Sequence, residues 1–117
     1  MENKYSSTTQ NQVKTILNHL EPWKELFLIN TNYYQDGWAI SLREKNIYPR
    51  YIVIFKSYTL DIFSIKSFEI HFDANKNESF KEIYSNEKVC NLTNLNQEVK
   101  EIIYGKDIAN QIIRSIL

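Results

Sequence analysis

Alternating apolar and polar residues dominate the middle of this chain. Trp38, Ile40 and Leu42 occupy every second position, and the same alternation returns at residues 68–72. Since the side chains of a strand point alternately to its two faces, this period predicts strands with one buried face. The run Tyr51–Phe55 is apolar at every position. That pattern predicts a central strand that is covered on both faces or paired into a dimer.

Helical spacing flanks this central region on both sides. Residues 13–20 carry one apolar stripe, and Thr8 or Thr9 is predicted to cap the helix at its start. The stripe comprises Val13, Ile16, Leu17 and Leu20. At the other end of the chain, Gly105 separates two further stripes, which predicts a helical hairpin. They comprise Val99, Ile102 and Ile103 before the glycine and Ile108, Ala109, Ile112, Ile113 and Ile116 after it.

The segments between these elements are predicted as connections. Pro22 should end or bend the first helix, because the residue before a proline disfavours the α conformation. Residues 30–37 are predicted to form a loop that closes with an Asp-Gly turn signal. A phase change within 58–65 indicates a bulge or a turn. Apolar spacing in 80–84 predicts a short helix, followed by an irregular segment over 86–94.

These elements together predict a single α+β domain over residues 1–117, with residues 1–7 expected to be disordered. We expect an antiparallel sheet of four to five strands, covered by an N-terminal helix and a C-terminal helical hairpin. A globule of this size buries roughly two-thirds of the surface of its unfolded chain, which is enough for a core without disulfides or metal. Its 43% hydrophobic residues exclude an intrinsically disordered chain.

The composition argues against several functional classes. Fourteen Lys and Arg balance fourteen Asp and Glu, so no strong field attracts nucleic acid or an anionic membrane. The lone Cys90 cannot form an internal disulfide, and the polar start of the chain lacks the apolar segment of a signal peptide. No apolar run approaches the roughly twenty residues of a membrane span. We therefore expect a cytoplasmic protein without membrane contact.

Recognisable catalytic motifs are missing. Two glycines and one cysteine cannot build a phosphate-binding glycine loop or a zinc-binding cysteine pair, and no serine elbow is present. We therefore expect no cofactor, and any enzyme activity would have to arise without a local motif. The abundance of Asn, Lys, Ile and Tyr with few Gly and Pro indicates AT-rich coding, which is typical of a low-GC bacterium or its mobile elements.

Aromatic content gives the leading functional hypothesis. Eight Tyr, six Phe and two Trp in so short a chain should leave some rings accessible, and such rings are enriched where proteins bind proteins. The candidate contacts are Tyr33, Tyr34, Tyr48 and Tyr58. The sequence thus favours a small non-enzymatic protein-binding module, such as an inhibitor or immunity-type protein, that could also form a homodimer. The alternative is that these rings fill a thin core.

A nucleic-acid-associated factor is the second hypothesis. Arg43, Lys45, Arg50 and Tyr51 interleave cations with an aromatic ring, a combination that neutralises phosphates and stacks bases. The same residues equally describe a hairpin with polar ends.

A metal-dependent hydrolase is the third hypothesis. Glu69, His71 and Asp73 occupy alternate positions, so one strand face could offer two carboxylates and an imidazole to a divalent metal. The alternative is the solvent-facing side of an antiparallel strand, where polar residues are expected.

Overall fold

The computed structural model describes residues 5–45, 50–89 and 91–103. Their elements are helix α1 (Ser7–Leu20), a 3-10 helix (Glu21–Trp23), strands β1 (Phe27–Tyr33), β2 (Gly37–Glu44), β3 (Arg50–Ser57), β4 (Phe63–Phe72) and β5 (Glu78–Val89), and helix α2 (residues 92–103). Each strand pairs antiparallel with the next one along the chain, in the order β1-β2-β3-β4-β5. The predicted α+β fold with an antiparallel sheet is confirmed. The second helix of the predicted hairpin, together with Cys90 and Tyr48, lies outside the described residues.

The sheet has one covered face and one open face. The covered face comprises Trp38, Ile40, Leu42, Ile52, Ile54, Lys56, Phe63, Ile65 and Ser67, which are all buried. Val13, Ile16 and Leu20 of α1 and Leu95, Val99 and Ile103 of α2 belong to the same core. The open face carries the alternate residues of the strands, among them Arg43, Tyr51, Val53, Phe55, Lys66, Phe68 and Phe80. β3 is therefore the central strand, but helices cover it on one side only.

Helix α1 begins earlier than the sequence predicts. Its N-cap is Ser6, whose Oγ accepts a hydrogen bond from the Thr9 backbone N–H at 3.0 Å, so neither Thr8 nor Thr9 is the cap. Serine at this position satisfies a backbone donor that the first turn would leave without a partner. Pro22 ends the α-helix as predicted, and the chain tightens into the 3-10 helix before entering β1.

The predicted loop over 30–37 is wrong in its first half. β1 continues through Asn30, Thr31 and Asn32 in unbroken register with β2, and a short turn around Asp36 joins the two strands. The Tyr34 N–H donates to the Gly37 carbonyl oxygen at 2.7 Å and closes this hairpin. Because β1 lies at an edge of the sheet, its exposed positions tolerate the polar residues that made the segment resemble a loop.

The predicted short helix at 80–84 is also wrong, since the segment belongs to β5. Register shifts in the β4–β5 ladder insert an extra residue at Ile83 and another near Glu87. Such a bulge returns the chain to the same face after three residues instead of two. Phe80 pairs with Ile70 on the open face and Tyr84 pairs with Ser67 on the covered face, so the apolar residues at helical spacing do not share one face.

Helix α2 is fixed at both ends. At its start, the Asn91 Oδ1 accepts the Asn94 N–H at 2.9 Å, as an N-cap does. At its other end, the Arg50 guanidinium donates to the carbonyl oxygens of Ile102 and Ile103 at 3.0 and 3.1 Å. A cation is favourable there, because the last carbonyls of a helix lack backbone partners and carry partial negative charge.

Arg50 also joins α2 to the sheet. Its Nη2 lies 2.9 Å from Glu44 Oε2, its Nε donates to Glu44 Oε1 at 3.1 Å, and its guanidinium lies 5.8 Å from the centre of the Phe27 ring. The two side chains of this ion pair are 24% and 15% exposed, so water screens them little. Arg50 thus connects β1, β2, β3 and α2.

We predict that Arg50→Met lowers the free energy of unfolding by about 2–3 kcal/mol, since it leaves a partly buried carboxylate and two helix carbonyls without a partner. Chemical denaturation measures this loss. The matched control is Lys24→Met, which breaks the exposed Lys24–Glu21 pair and should cost less than about 0.5 kcal/mol. Equal losses in the two variants would contradict the role given to Arg50.

Candidate functional site

Three rings form an aromatic cluster on the open face, defined here as Tyr51, Phe68 and Phe80. Their ring centres are 5.4 Å apart for Tyr51 and Phe80, 6.2 Å for Tyr51 and Phe68, and 6.3 Å for Phe68 and Phe80. These distances are typical of favourable aromatic pairs. Phe80 is 50% exposed, and the other two rings are partly exposed. The cluster is therefore an apolar surface that solvent can reach.

Ion pairs border this cluster. Arg43 on β2 donates both terminal nitrogens to the Glu78 carboxylate on β5, a pair that reaches across β3 and β4. The hydrogen bond from Arg43 lowers the pKa of the Glu78 carboxyl. On the far side, the Lys66 Nζ lies 3.5 Å from both Glu82 and Glu87. The residues around the cluster therefore carry both positive and negative charges, which largely cancel each other.

A column of small residues runs along the open face of β2, away from Arg43, which pairs with Tyr51 of the cluster. Gly37, Ala39 and Ser41 are buried although they belong to the open face. A Cβ at Gly37 would lie 2.3 Å from the Lys56 carbonyl oxygen and 2.6 Å from the Phe55 ring. The close approach of these two strands thus requires glycine.

The tyrosines predicted from the sequence lie elsewhere. Tyr33 and Tyr34 are exposed at the β1–β2 turn, and Tyr58 is partly buried after β3 and packs against the core. The Tyr58 N–H donates to the Asp36 carbonyl oxygen at 3.0 Å, so these three residues share one end of the sheet. Tyr48 lies outside the described residues. Their role in binding stays a prediction.

The predicted nucleic-acid residues are divided between the two faces. Arg43 and Tyr51 lie on the open face, whereas Arg50 binds Glu44 and the end of α2. Lys45 donates to the Lys24 carbonyl oxygen at 3.3 Å. Since both arginines already contact carboxylates, these residues do not form one cationic surface. The nucleic-acid hypothesis gains no support from this arrangement.

The predicted metal ligands make local contacts instead. Glu69 and His71 share a face of β4, with Oε2 and Nε2 3.1 Å apart. Asp73 lies in the β4–β5 turn, where its Oδ1 accepts the N–H groups of Asn75 and Asn77 at 2.8 and 2.9 Å. Across residues 5–45, 50–89 and 91–103, no three His, Cys, Asp or Glu side chains are arranged to hold a metal ion. The geometry gives a metal site there no support.

A cleft of about 590 Å³ lies between the end of α1 and helix α2. His19, Trp23, Asn96 and Lys100 are among its lining residues. The Asn96 Oδ1 is buried, with no hydrogen-bond partner among the residues that the structure describes. The lining side chains do not indicate a particular reaction.

Sequence reasoning missed Phe68 and Phe80 as surface residues. The signal for Phe68 was present, because Phe68 and Tyr51 follow the strand alternation and fall on one face once β3 pairs with β4. For Phe80, the bulge in β5 breaks the alternation from which its face could have been predicted. Lys56 was missed as well: it is buried on the covered face, where its Nζ donates to the Ser57 carbonyl oxygen at 2.7 Å.

Comparison with protein-family models, with curated proteins and with solved structures gave no match to this chain. Within the described part of the chain, neither helix has the length and apolar character that crossing a bilayer requires.

The Arg43–Glu78 pair should make stability depend on pH. The pKa of the Glu78 carboxyl is lower in the folded state than in the unfolded state. Its ionised form therefore stabilises the fold above the unfolded-state pKa, and this stabilisation is lost as the pH falls through the folded-state pKa. We predict that the difference in unfolding free energy between the unmodified protein and Glu78→Gln is constant near neutrality and shrinks below about pH 4. Denaturation at a series of pH values measures it.

The matched background for this test is Arg43→Met, in which Glu78→Gln should have no pH-dependent effect. Asp73 also has a lowered pKa, mainly because the Asn77 backbone N–H donates to its carboxylate. Since Asp73 is present in every variant, its contribution to the pH dependence cancels in the difference. A pH-dependent difference that persists in the Arg43→Met background would show that another group is responsible.

Proposed function

We propose that this protein is a non-enzymatic binding module that holds another protein against the open face of its sheet. The observation that carries the proposal is the aromatic cluster of Tyr51, Phe68 and Phe80, which is partly exposed, while both described helices pack on the opposite face. Tyrosine and other aromatic residues anchor protein interfaces, because they bury large areas at a small cost in side-chain entropy.

The surroundings of the cluster favour a protein partner over a nucleic acid. Protein interfaces commonly have an apolar centre and a polar border, which matches the cluster and its ion pairs. Nucleic acids require cations that can neutralise phosphates. Arg43 and Lys66 are each paired with carboxylates, and the chain has no net charge.

An inhibitor or immunity-type protein of bacterial or mobile-element origin is the specific form of this proposal. Such a protein acts by occupying the surface of one target, which needs a rigid face and no catalytic group. The cytoplasm is the proposed location.

The first test is an affinity purification of the tagged full chain from lysate of its native host, with and without nuclease. We predict one partner in stoichiometric amount in both arms. Recovery that disappears with nuclease would instead show association through nucleic acid and would overturn the proposal. Recovery of no partner in either arm would also contradict it.

The second test assigns the partner to the open face. Phe80→Ser should weaken binding about thirtyfold, as expected for an interface residue worth about 2 kcal/mol, while the melting temperature changes little because half of the ring is exposed. Ile83→Ser is the matched control, since Ile83 is 47% exposed on the same strand but lies outside the cluster. Equal affinities for the two variants, measured by calorimetry, would show that the partner binds elsewhere.

A further inference from the structure

The two edges of the sheet differ in how they are protected against pairing with another strand. β5 has two register shifts and carries many charges, and both features oppose the addition of a strand. Its charged residues are Glu78, Lys81, Glu82, Glu87 and Lys88. β1 has the sequence FLINTNY, with no charge and no proline, and it pairs with β2 over seven consecutive residues without a bulge. Among the residues that the structure describes, the β1 edge alone lacks these protections and is open to a further strand.

The backbone groups of β1 that face outward can be assigned from its hydrogen bonds to β2. Leu26 accepts the Lys45 N–H at 2.9 Å and Tyr34 donates to Gly37, so residues 26, 28, 30, 32 and 34 direct their backbone groups towards β2. The alternate residues direct theirs away from the sheet. They are Phe27, Ile29, Thr31 and Tyr33.

We propose that the occupant of this edge is a second copy of the chain, whose β1 pairs antiparallel with β1 about a two-fold axis at Asn30. In this register the outward backbone groups of Phe27 meet those of Tyr33 in the second copy, and those of Ile29 meet those of Thr31. On the order of eight backbone hydrogen bonds then form, and the two five-stranded sheets become one.

The side chains of β1 are self-complementary in this register. Large apolar side chains are exposed at both ends of the edge, with Leu26 58% and Tyr34 52% exposed. The two-fold axis places Leu26 of each copy beside Tyr34 of the other. The centre of the strand, at Asn30, is polar and uncharged, so no like charges meet where the copies cross. A parallel arrangement would place these residues against themselves and lose the exchange of paired hydrogen bonds.

This inference goes beyond the proposed function and does not depend on it. The pairing uses the backbone of β1, whereas the aromatic cluster lies on β3, β4 and β5. In the dimer both clusters face the same side of a continuous ten-stranded sheet. If the protein dimerises but no partner protein is found, the proposed function fails and this inference holds. If the protein is a monomer that binds a partner, this inference fails and the proposed function holds.

The test uses the residue on the axis. Asn30 is exposed on the open face, so a charge there does not disturb the monomer, but in the dimer it meets its own copy. Asn30→Lys and Asn30→Asp should each raise the dimer dissociation constant roughly five- to tenfold, measured by analytical ultracentrifugation. An equimolar mixture of the two variants should restore the affinity, because Lys then meets Asp, and native mass spectrometry should show mixed dimers.

Two control experiments test the pairing register and the identity of the sheet edge. Asn32→Lys mixed with Asn32→Asp should restore nothing, since residue 32 lies opposite Leu28 and not opposite itself. Ser79→Lys, on the β5 edge, should leave self-association unchanged. A monomer at all concentrations, an Asn30→Lys dimer as tight as the unmodified one, or equal restoration at residues 30 and 32 would each overturn the inference.

A measurement on the unmodified chain decides the matter if a charged variant does not fold. The amide protons of Ile29 and Thr31 point outward in the monomer and are bonded in the dimer. Their hydrogen exchange should therefore slow as the protein concentration rises, while the amide of Asn30, which faces β2, should change less. Exchange at Ile29 and Thr31 that is independent of concentration would overturn the inference.

Discussion

Burial of one face of the sheet is the constraint on which the rest of the structure depends. Trp38, Ile40 and Ile54 have no solvent exposure, and each large apolar side chain buried in this way contributes about 1.5–3 kcal/mol. The helices that cover this face come from opposite ends of the strand sequence, one before β1 and one after β5. Because both helices pack on this face, no described helix covers the open face.

The open face is consequently built from different chemistry. Three of its aromatic residues form one cluster, and charged residues beside them pair with each other across the strands, as in the Arg43–Glu78 contact. Glycine, alanine and serine occupy the open face of β2. This arrangement leaves a concentrated apolar area on a face whose neighbouring charges are paired.

The fold was largely predictable because its core follows simple periods. The alternation from Trp38 to Leu42 and the stripe from Val13 to Leu20 correspond to a covered strand face and a covered helix face. Prediction failed where a local feature changed the period. The bulge at Ile83 interrupts the alternation of β5, and the polar edge position of β1 gave it the composition of a loop.

The candidate site was harder to predict than the fold. Tyr51 and Phe68 become neighbours only through the β3–β4 register, and Phe80 joins them through the irregular β4–β5 ladder. The sequence shows many aromatic residues but not which face receives them. Arg43 and Arg50 also look equivalent in the sequence, yet one pairs on the open face and the other holds a helix end.

The order of the strands has a consequence for the chain while the ribosome makes it. Every ladder joins neighbours in sequence, so each hairpin can close as soon as its second strand has emerged. Helix α2 follows the last strand, and synthesis adds about 5–20 residues per second. For that interval the sheet is complete while Leu95, Val99 and Ile103 are still absent from its core. The nascent chain therefore passes through a stage in which α1 alone shields the apolar face from other nascent chains.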